Sequence, residues 1–257
     1  MRWLCSLLAS LAATTGAAAA AGAAAQSSPA QHLQFDVAAI PATRDSFVFL
    51  LRGEPRGFAV WQYEIRSVEM GQDIVFTARS EFRPAEEERL RVVLNRFTGA
   101  PVASFHHIDL FAPGSDTVMV EHDLDVKRGD VEGRRKVGRR NGDVQIIPVS
   151  KPLPAGAVWS SYVLYAAAVT NLAPGDSLTV PVYREFEDTV VTVSLVAGQP
   201  TAVQVPAGRF DVLPIKNEDF VVYVTRAAPR RVVKGETADR AFSFQLARIG
   251  RVVPSQP

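Results

Sequence analysis

Residues 61–79, WQYEIRSVEMGQDIVFTAR, decide the fold class. Trp61, Tyr63 and Ile65 alternate with Gln62, Glu64 and Arg66. After the turn signal Met70-Gly71-Gln72-Asp73, Ile74, Phe76 and Ala78 alternate with Val75, Thr77 and Arg79. Successive side chains of a strand point to opposite faces, so a period of two with an apolar phase predicts two strands that each bury one face.

The same pattern continues outward. Leu90, Val92 and Leu94 repeat it, as do Val118, Val120, Leu124 and Val126, then Leu178, Val180 and Val182. Val191, Val193 and Leu195, Val203 and Val205, Phe220, Val222 and Val224, and Phe242, Phe244 and Leu246 follow. Turn signals separate the runs, among them Thr98-Gly99, Asn141-Gly142, Pro174-Gly175-Asp176 and Pro206-Ala207-Gly208. No helical segment intervenes between successive strands. That argues against a parallel βαβ sheet and predicts a mainly β fold: a strongly curled antiparallel sheet or an open β-barrel.

One segment departs from the pattern. In VWSSYVLYAAAVTNL (158–172), Trp159, Tyr162, Val163, Ala166 and Val169 recur at a spacing of three to four, and Pro174-Gly175 follows. The spacing predicts one helix of about four turns, apolar around most of its surface, packed in the concave face of the sheet.

The chain has 257 residues, of which 47% are hydrophobic and 21% charged, enough for a sizeable core. The start of the sequence reads as a signal peptide over residues 1–25. Arg2 begins it, an apolar run from Trp3 to Ala13 continues it, and Ala23-Ala24-Ala25 supplies the small residues before Gln26. The apolar run is shorter than a membrane span requires, so the chain is not expected to span a membrane. Residues 26–45 read as a flexible lead-in, and 46–257 as one antiparallel β domain. Cys5, the only cysteine, falls within the signal, which leaves no disulfide and no thiolate metal site. The formal charge of +1 favours neither nucleic acid nor an anionic surface globally. The expected localisation is periplasmic or secreted.

Several short segments carry a resemblance to a known family. Val203–Asp211 (VQVPAGRFD) is one, with GDVEGRR at 129–135, LAPG at 172–175, and FVVYVTR at 220–226 followed by PRRVVK at 229–234. Over roughly residues 50–250 the chain resembles a family of uncharacterised secreted bacterial proteins. That family looks related to the periplasmic lipoprotein carriers, whose fold is an open antiparallel β-barrel with helices in its mouth. The resemblance implies a fold and no activity. Read as residues, Pro206 and Gly208 make a hairpin turn, not a catalytic motif.

Candidate chemistry is sparse. His106 and His107 are adjacent in a strand and face opposite ways, so they cannot share an ion. One of them can meet His122 on the next strand, where Asp109 or Asp123 would complete a divalent-metal site of a hydrolase. The competing reading makes His122 a half-buried structural residue. Glu86-Glu87-Glu88 reads as a solvated turn. No GxSxG, HExxH or phosphate loop is present, and no catalytic residue, metal or cofactor is assigned. Lys127–Arg140 (KRGDVEGRRKVGRR) holds seven cations against Asp130 and Glu132. It reads either as a site for an anionic group, through Arg134, Arg135, Arg139 and Arg140, or as a solubilised hairpin.

The resulting expectation is a non-catalytic exported protein. Its apolar cavity, lined by Trp61, Tyr63, Phe76, Trp159, Tyr162 and Tyr165, would hold a lipid or acyl chain. The alternative is a structural or partner-binding envelope module whose core is filled.

Overall fold

The computed structural model describes residues 43–250, apart from 70, 112–115, 164–167, 169 and 171. The expected signal peptide and most of the lead-in lie outside the described residues. The first eight strands are β1 (Arg44–Leu51), β2 (Glu54–Val68), β3 (Gly71–Phe82), β4 (Glu86–Asn95), β5 (Pro101–Leu110), β6 (Val118–Lys127), β7 (Asp130–Arg139) and β8 (Val144–Pro152). They form an uninterrupted antiparallel meander. The others are β9 (Val158–Trp159), β10 (Ser177–Arg184), β11 (Thr189–Ala197), β12 (Thr201–Val205), β13 (Gly208–Lys216), β14 (Phe220–Thr225), β15 (Val232–Thr237) and β16 (Phe242–Arg248).

All sixteen belong to one sheet. Its order is β8-β7-β6-β5-β4-β3-β2-β1-β16-β15-β14-β13-β11-β10-β9, with β12 paired to β13. The β1–β16 seam therefore brings the first and last strands together in the middle of the sheet. The sheet is not closed, since β8 and β9 end the ladder on either side. It curls instead, so that β9 packs against β5, and the turn after β9 packs against β4. Pro148 sits in the middle of the β8 edge, a position where sheets tolerate a residue with no N–H to donate.

The concave face carries the core, and the alternation read from the sequence points into it. Phe47, Trp61, Ile74, Phe76, Val92, Leu94, Leu195, Val222 and Leu246 are all buried. Aromatic contacts tie the seam: the Phe47 and Trp61 ring centroids are 3.9 Å apart, and Phe244 meets Trp61 edge-on at 5.0 Å. Phe220 stacks on Phe244 at 5.8 Å, and Gly235 lies beneath both rings, where a Cβ would overlap each of them. At the β12–β13 turn Gly208 has a φ of +135°, so the glycine read as a turn residue occupies a conformation that side chains disfavour.

The expected helix of about four turns over 158–172 does not occur among the described residues, of which Val163 and Ala168 alone are α-helical there. Val158–Trp159 is a strand that pairs parallel to Val182–Tyr183, the one parallel pairing in the ladder. Ser160–Tyr162 is a single 3-10 turn. Thr170 is in an isolated β bridge. The spacing of Trp159, Tyr162 and Val163 arises where a strand end meets a tight turn. Over so few residues such a spacing does not distinguish that arrangement from a helix face. β9, this turn and the β10–β11 connection pack into the concave face.

Candidate functional site

Of the six residues expected to line a cavity, four meet, with Phe76 at the centre, and a fifth, Trp159, is buried in the same core. Trp61 and Tyr63 flank Phe76 at 6.3 and 4.9 Å, Tyr162 meets Phe76 at 5.7 Å, and Trp159 meets Tyr183 at 5.7 Å. Phe76, Trp159 and Tyr162 have no solvent exposure, and Trp61 and Tyr63 keep 6% and 8%. Tyr165 lies outside the described residues. These rings pack on one another: the void beside Phe47, Trp61 and Tyr63 measures about 10 Å³, no more than one water molecule needs.

The four arginines are not brought together. Arg135 points inward, where Nη1 donates to the Phe186 carbonyl at 2.5 Å. Arg134 is on the convex face, 3.8 Å from Asp123. Arg139 ends β7 and Arg140 follows it in the β7–β8 connection. The positive charge of the segment is largely answered by its strand partner. Lys136 Nζ lies 2.6 Å from Glu121, and Lys127 Nζ is 3.6 Å from Glu132. Over residues 118–140 seven cations face five acids.

The histidines do meet. His106 and His122 are directly opposed across β5 and β6, with ring centroids 5.5 Å apart, and both are fully buried. The carboxylates expected to join them do not. Asp109 and Asp123 occupy odd positions and face the other way; Asp109 instead lies 3.3 Å from His107, which bonds Glu121 at 3.0 Å. No group of three potential metal-binding side chains occurs among the described residues.

What the concave histidines hold is a clasp that sequence reasoning missed. Glu185 and Phe186 follow β10. His122 Nε2 and Ser104 Oγ share a hydrogen bond of 2.9 Å, and Ser104 donates to Glu185 Oε1 at 3.4 Å. The Ser160 and Ser161 hydroxyls also donate to Glu185, as does the Ser160 backbone N–H at 3.0 Å. The Phe186 ring lies 4.8 Å from both imidazoles. On the other side of His106, Nε2 bonds Glu88 Oε1 at 2.6 Å, and Ser80 donates to Glu88 at 2.5 Å.

Glu86 and Glu88 are thus not a solvated turn. Both point inward in phase with Leu90, Val92 and Leu94, a phase the alternation already contained. Burial, together with the charge of Glu88, pushes the Glu86 carboxyl up to about 8. Burial also raises Glu88, but the charge and hydrogen bond of His106 and the Ser80 hydroxyl outweigh it and hold the group below its ordinary value. Burial, with the positive charges of His106 and Arg135, keeps His122 well below its ordinary value and so neutral.

His122 Nδ1, where a triad carboxylate would sit, has no partner among the described residues. Ser104 and Glu185 are each 1% exposed.

A groove lies elsewhere, at the end of the sheet where the β4–β5 turn, the β6–β7 turn and residues 153–158 meet. It encloses about 470 Å³, and Pro101, Val126, Leu153, Ala155 and Val158 are among its walls. No charged side chain lines it. Its volume falls in the range of small-molecule sites.

No family model and no curated protein matches this sequence. Among solved structures, the chain is similar to a beta-barrel-like protein of domain of unknown function DUF1849 from Brucella abortus. Identity is 12% and the TM-score 0.47, over 83% of this chain and 98% of that one. It is also similar to a protein with a YmcC-like fold from Bacteroides fragilis, described as exported. There identity is 11% and the TM-score 0.35, over 85% and 100% of the two chains. One neighbour is a domain of unknown function and the other an exported protein. Neither assigns a residue role here.

Proposed function

We propose that this chain is a non-catalytic exported protein that binds a short apolar ligand, such as an acyl chain, in the groove at the end of the sheet. One observation carries the proposal: about 470 Å³ of space whose walls are alanine, glycine, proline, valine, leucine and a threonine. Burying a methylene is worth about 0.8 kcal/mol, so six carbons would contribute about 5 kcal/mol before the costs of ordering the ligand. Among the described residues the groove offers more room than the void beside Trp61 and Tyr63.

An environment-sensitive fatty-acid probe tests this. Saturable binding to the wild type is expected. It should be lost in Ala155→Trp, which fills the groove, and in Leu153→Glu, which charges its wall, while the melting temperature stays unchanged. If the wild type takes up no probe, the groove reading fails. A second reading, a structural or partner-binding envelope module, is favoured by the close packing of Trp61, Tyr63, Phe76, Trp159 and Tyr162.

A further inference from the structure

The two ends of the curled sheet differ in their turns. At one end the β1–β2 turn is Arg52-Gly53, the β3–β4 turn is Arg83-Pro84-Ala85, and the β7–β8 connection runs from Arg140 to Asp143. These are the ordinary polar turn residues of an exposed hairpin. The other end carries the groove, and apolar side chains stand exposed at or just behind the tips of two of its turns. Phe97, in the β4–β5 turn, is 71% exposed, and its ring leans towards Gly71 of the neighbouring β2–β3 turn. Beside it the β2–β3 hairpin exposes Ile65 and Val68, at 43% and 40%. Pro154 and Ala155 are exposed in the loop after β8.

Phe97 at 71% exposure contributes little to the core, and the Arg52-Gly53, Arg83-Pro84-Ala85 and 140–143 turns opposite do without an aromatic residue. Exposed apolar groups gathered at adjacent tips, not along a sheet face, suit a partner that is broad and flat. The charge at the tips narrows its chemistry. Across residues 65–71, 96–100, 127–130 and 153–158, four cations (Arg66, Arg96, Lys127 and Arg128) face two acids, Glu69 and Asp130. Arg66 and Lys127 also have acidic neighbours just behind the tips, Asp73 at 3.4 Å and Glu132 at 3.6 Å. Arg128 stands at the apex of its turn, in a left-handed conformation with a φ of 54°.

We propose that this end of the sheet docks on an anionic phospholipid surface, with Phe97 and Val68 entering the interface and Arg128 and Arg96 meeting headgroups. Apolar side chains inserted to headgroup depth, together with nearby cations, give reversible binding that depends on lipid charge. The proposal deepens the groove reading and rests on it for the purpose of docking: the groove opens at the end that meets the bilayer, so an acyl chain enters it from there.

The test is vesicle sedimentation of the full chain, with vesicles of phosphatidylcholine alone and of equimolar phosphatidylcholine and phosphatidylglycerol. The wild type should sediment with the mixed vesicles, and Phe97→Asp should bind roughly tenfold more weakly with an unchanged thermal melt. Arg128→Gly, which suits the left-handed backbone, should weaken binding to the mixed vesicles and leave the phosphatidylcholine arm unaltered. A wild type that ignores the mixed vesicles, or a Phe97→Asp variant that sediments like it, overturns the proposal. So does a Phe97-dependent dimer in sedimentation velocity without vesicle binding, which assigns the patch to a second copy of the chain. The soluble fatty-acid probe separates the two readings. Vesicle binding without probe uptake keeps the docking surface and sinks the groove, and probe uptake without vesicle binding does the reverse.

Discussion

Glu185 accepts a hydrogen bond from Ser104, 81 positions earlier in the chain, at 3.4 Å. The two residues belong to opposite wings of the sheet, β10 on one side and β5 on the other. Their meeting holds the curl where no strand pairing does. Glu185→Ala should destabilise the protein by about 2–4 kcal/mol, because it orphans buried hydroxyls of Ser104, Ser160 and Ser161. Glu185→Gln should cost less. Urea unfolding of the three proteins checks the order; an alanine variant as stable as the wild type would show that the clasp does not hold the curl.

The Glu86 carboxyl gives stability a particular pH dependence. Its folded value, about 8, lies above its unfolded value, so the stability it contributes is fully present below about pH 4.5 and is lost as pH rises towards 8. His122 works the other way. Its folded value is depressed, so its contribution is present above about pH 6.5 and is lost as pH falls. Between pH 6.5 and 8 the Glu86 contribution therefore acts without opposition from His122. Stability should fall there by about 2 kcal/mol, and Glu86→Gln should flatten the decline. Denaturant melts at the two pH values decide it.

Two glycines should resist substitution for different reasons. Gly235→Ala puts a methyl group into the Phe220–Phe244 stack, an overpacking that costs about 1–3 kcal/mol. Gly208→Val forces a β-branched residue to a φ of +135°, with a strain cost of about 1–3 kcal/mol. Thermal melts measure both. An unchanged midpoint for Gly208→Val would show that the turn relaxes.

Tyr162→Asp should unfold the protein, not simply empty a ligand site, because Tyr162 has no exposure and packs on Phe76. Circular dichroism of the purified variant is the readout. A folded Tyr162→Asp protein would mean that the core around the Ser160–Tyr162 turn is looser than its packing implies.

Much of the fold was legible in the residues. Trp61, Tyr63, Ile74, Phe76, Leu90 and Val92 all face the core, as their alternation requires. The period of two also contained more than was taken from it. Asp123 is adjacent to His122 and so faces the other way on phase alone, whereas the pairing of His106 rather than His107 with His122, which leaves Asp109 out of the set, depends on the β5–β6 register. Glu86 and Glu88 share the phase of Leu90, which marks them as inward. Two things were not legible. The segment after Val158 has a helical spacing, but its first two residues are claimed by pairing with Val182 and Tyr183, and a tertiary pairing of this kind overrides local pattern. The clasp was hidden because Glu185-Phe186-Glu187-Asp188 looks like any polar turn. Its partners are distant in sequence and become neighbours once the sheet has curled.

Pro148, in the β8 edge, bears on what happens when copies of this chain are crowded together. An open ladder of sixteen strands presents a long rail on which another chain could nucleate, and Val144 and Ile146 make that rail sticky. An incoming strand that reaches Pro148 finds a ring carbon where it needs a donor, and the growing register stalls there. One imino acid thus acts as a terminator, letting the molecule keep an unclosed sheet without becoming the seed of a fibre.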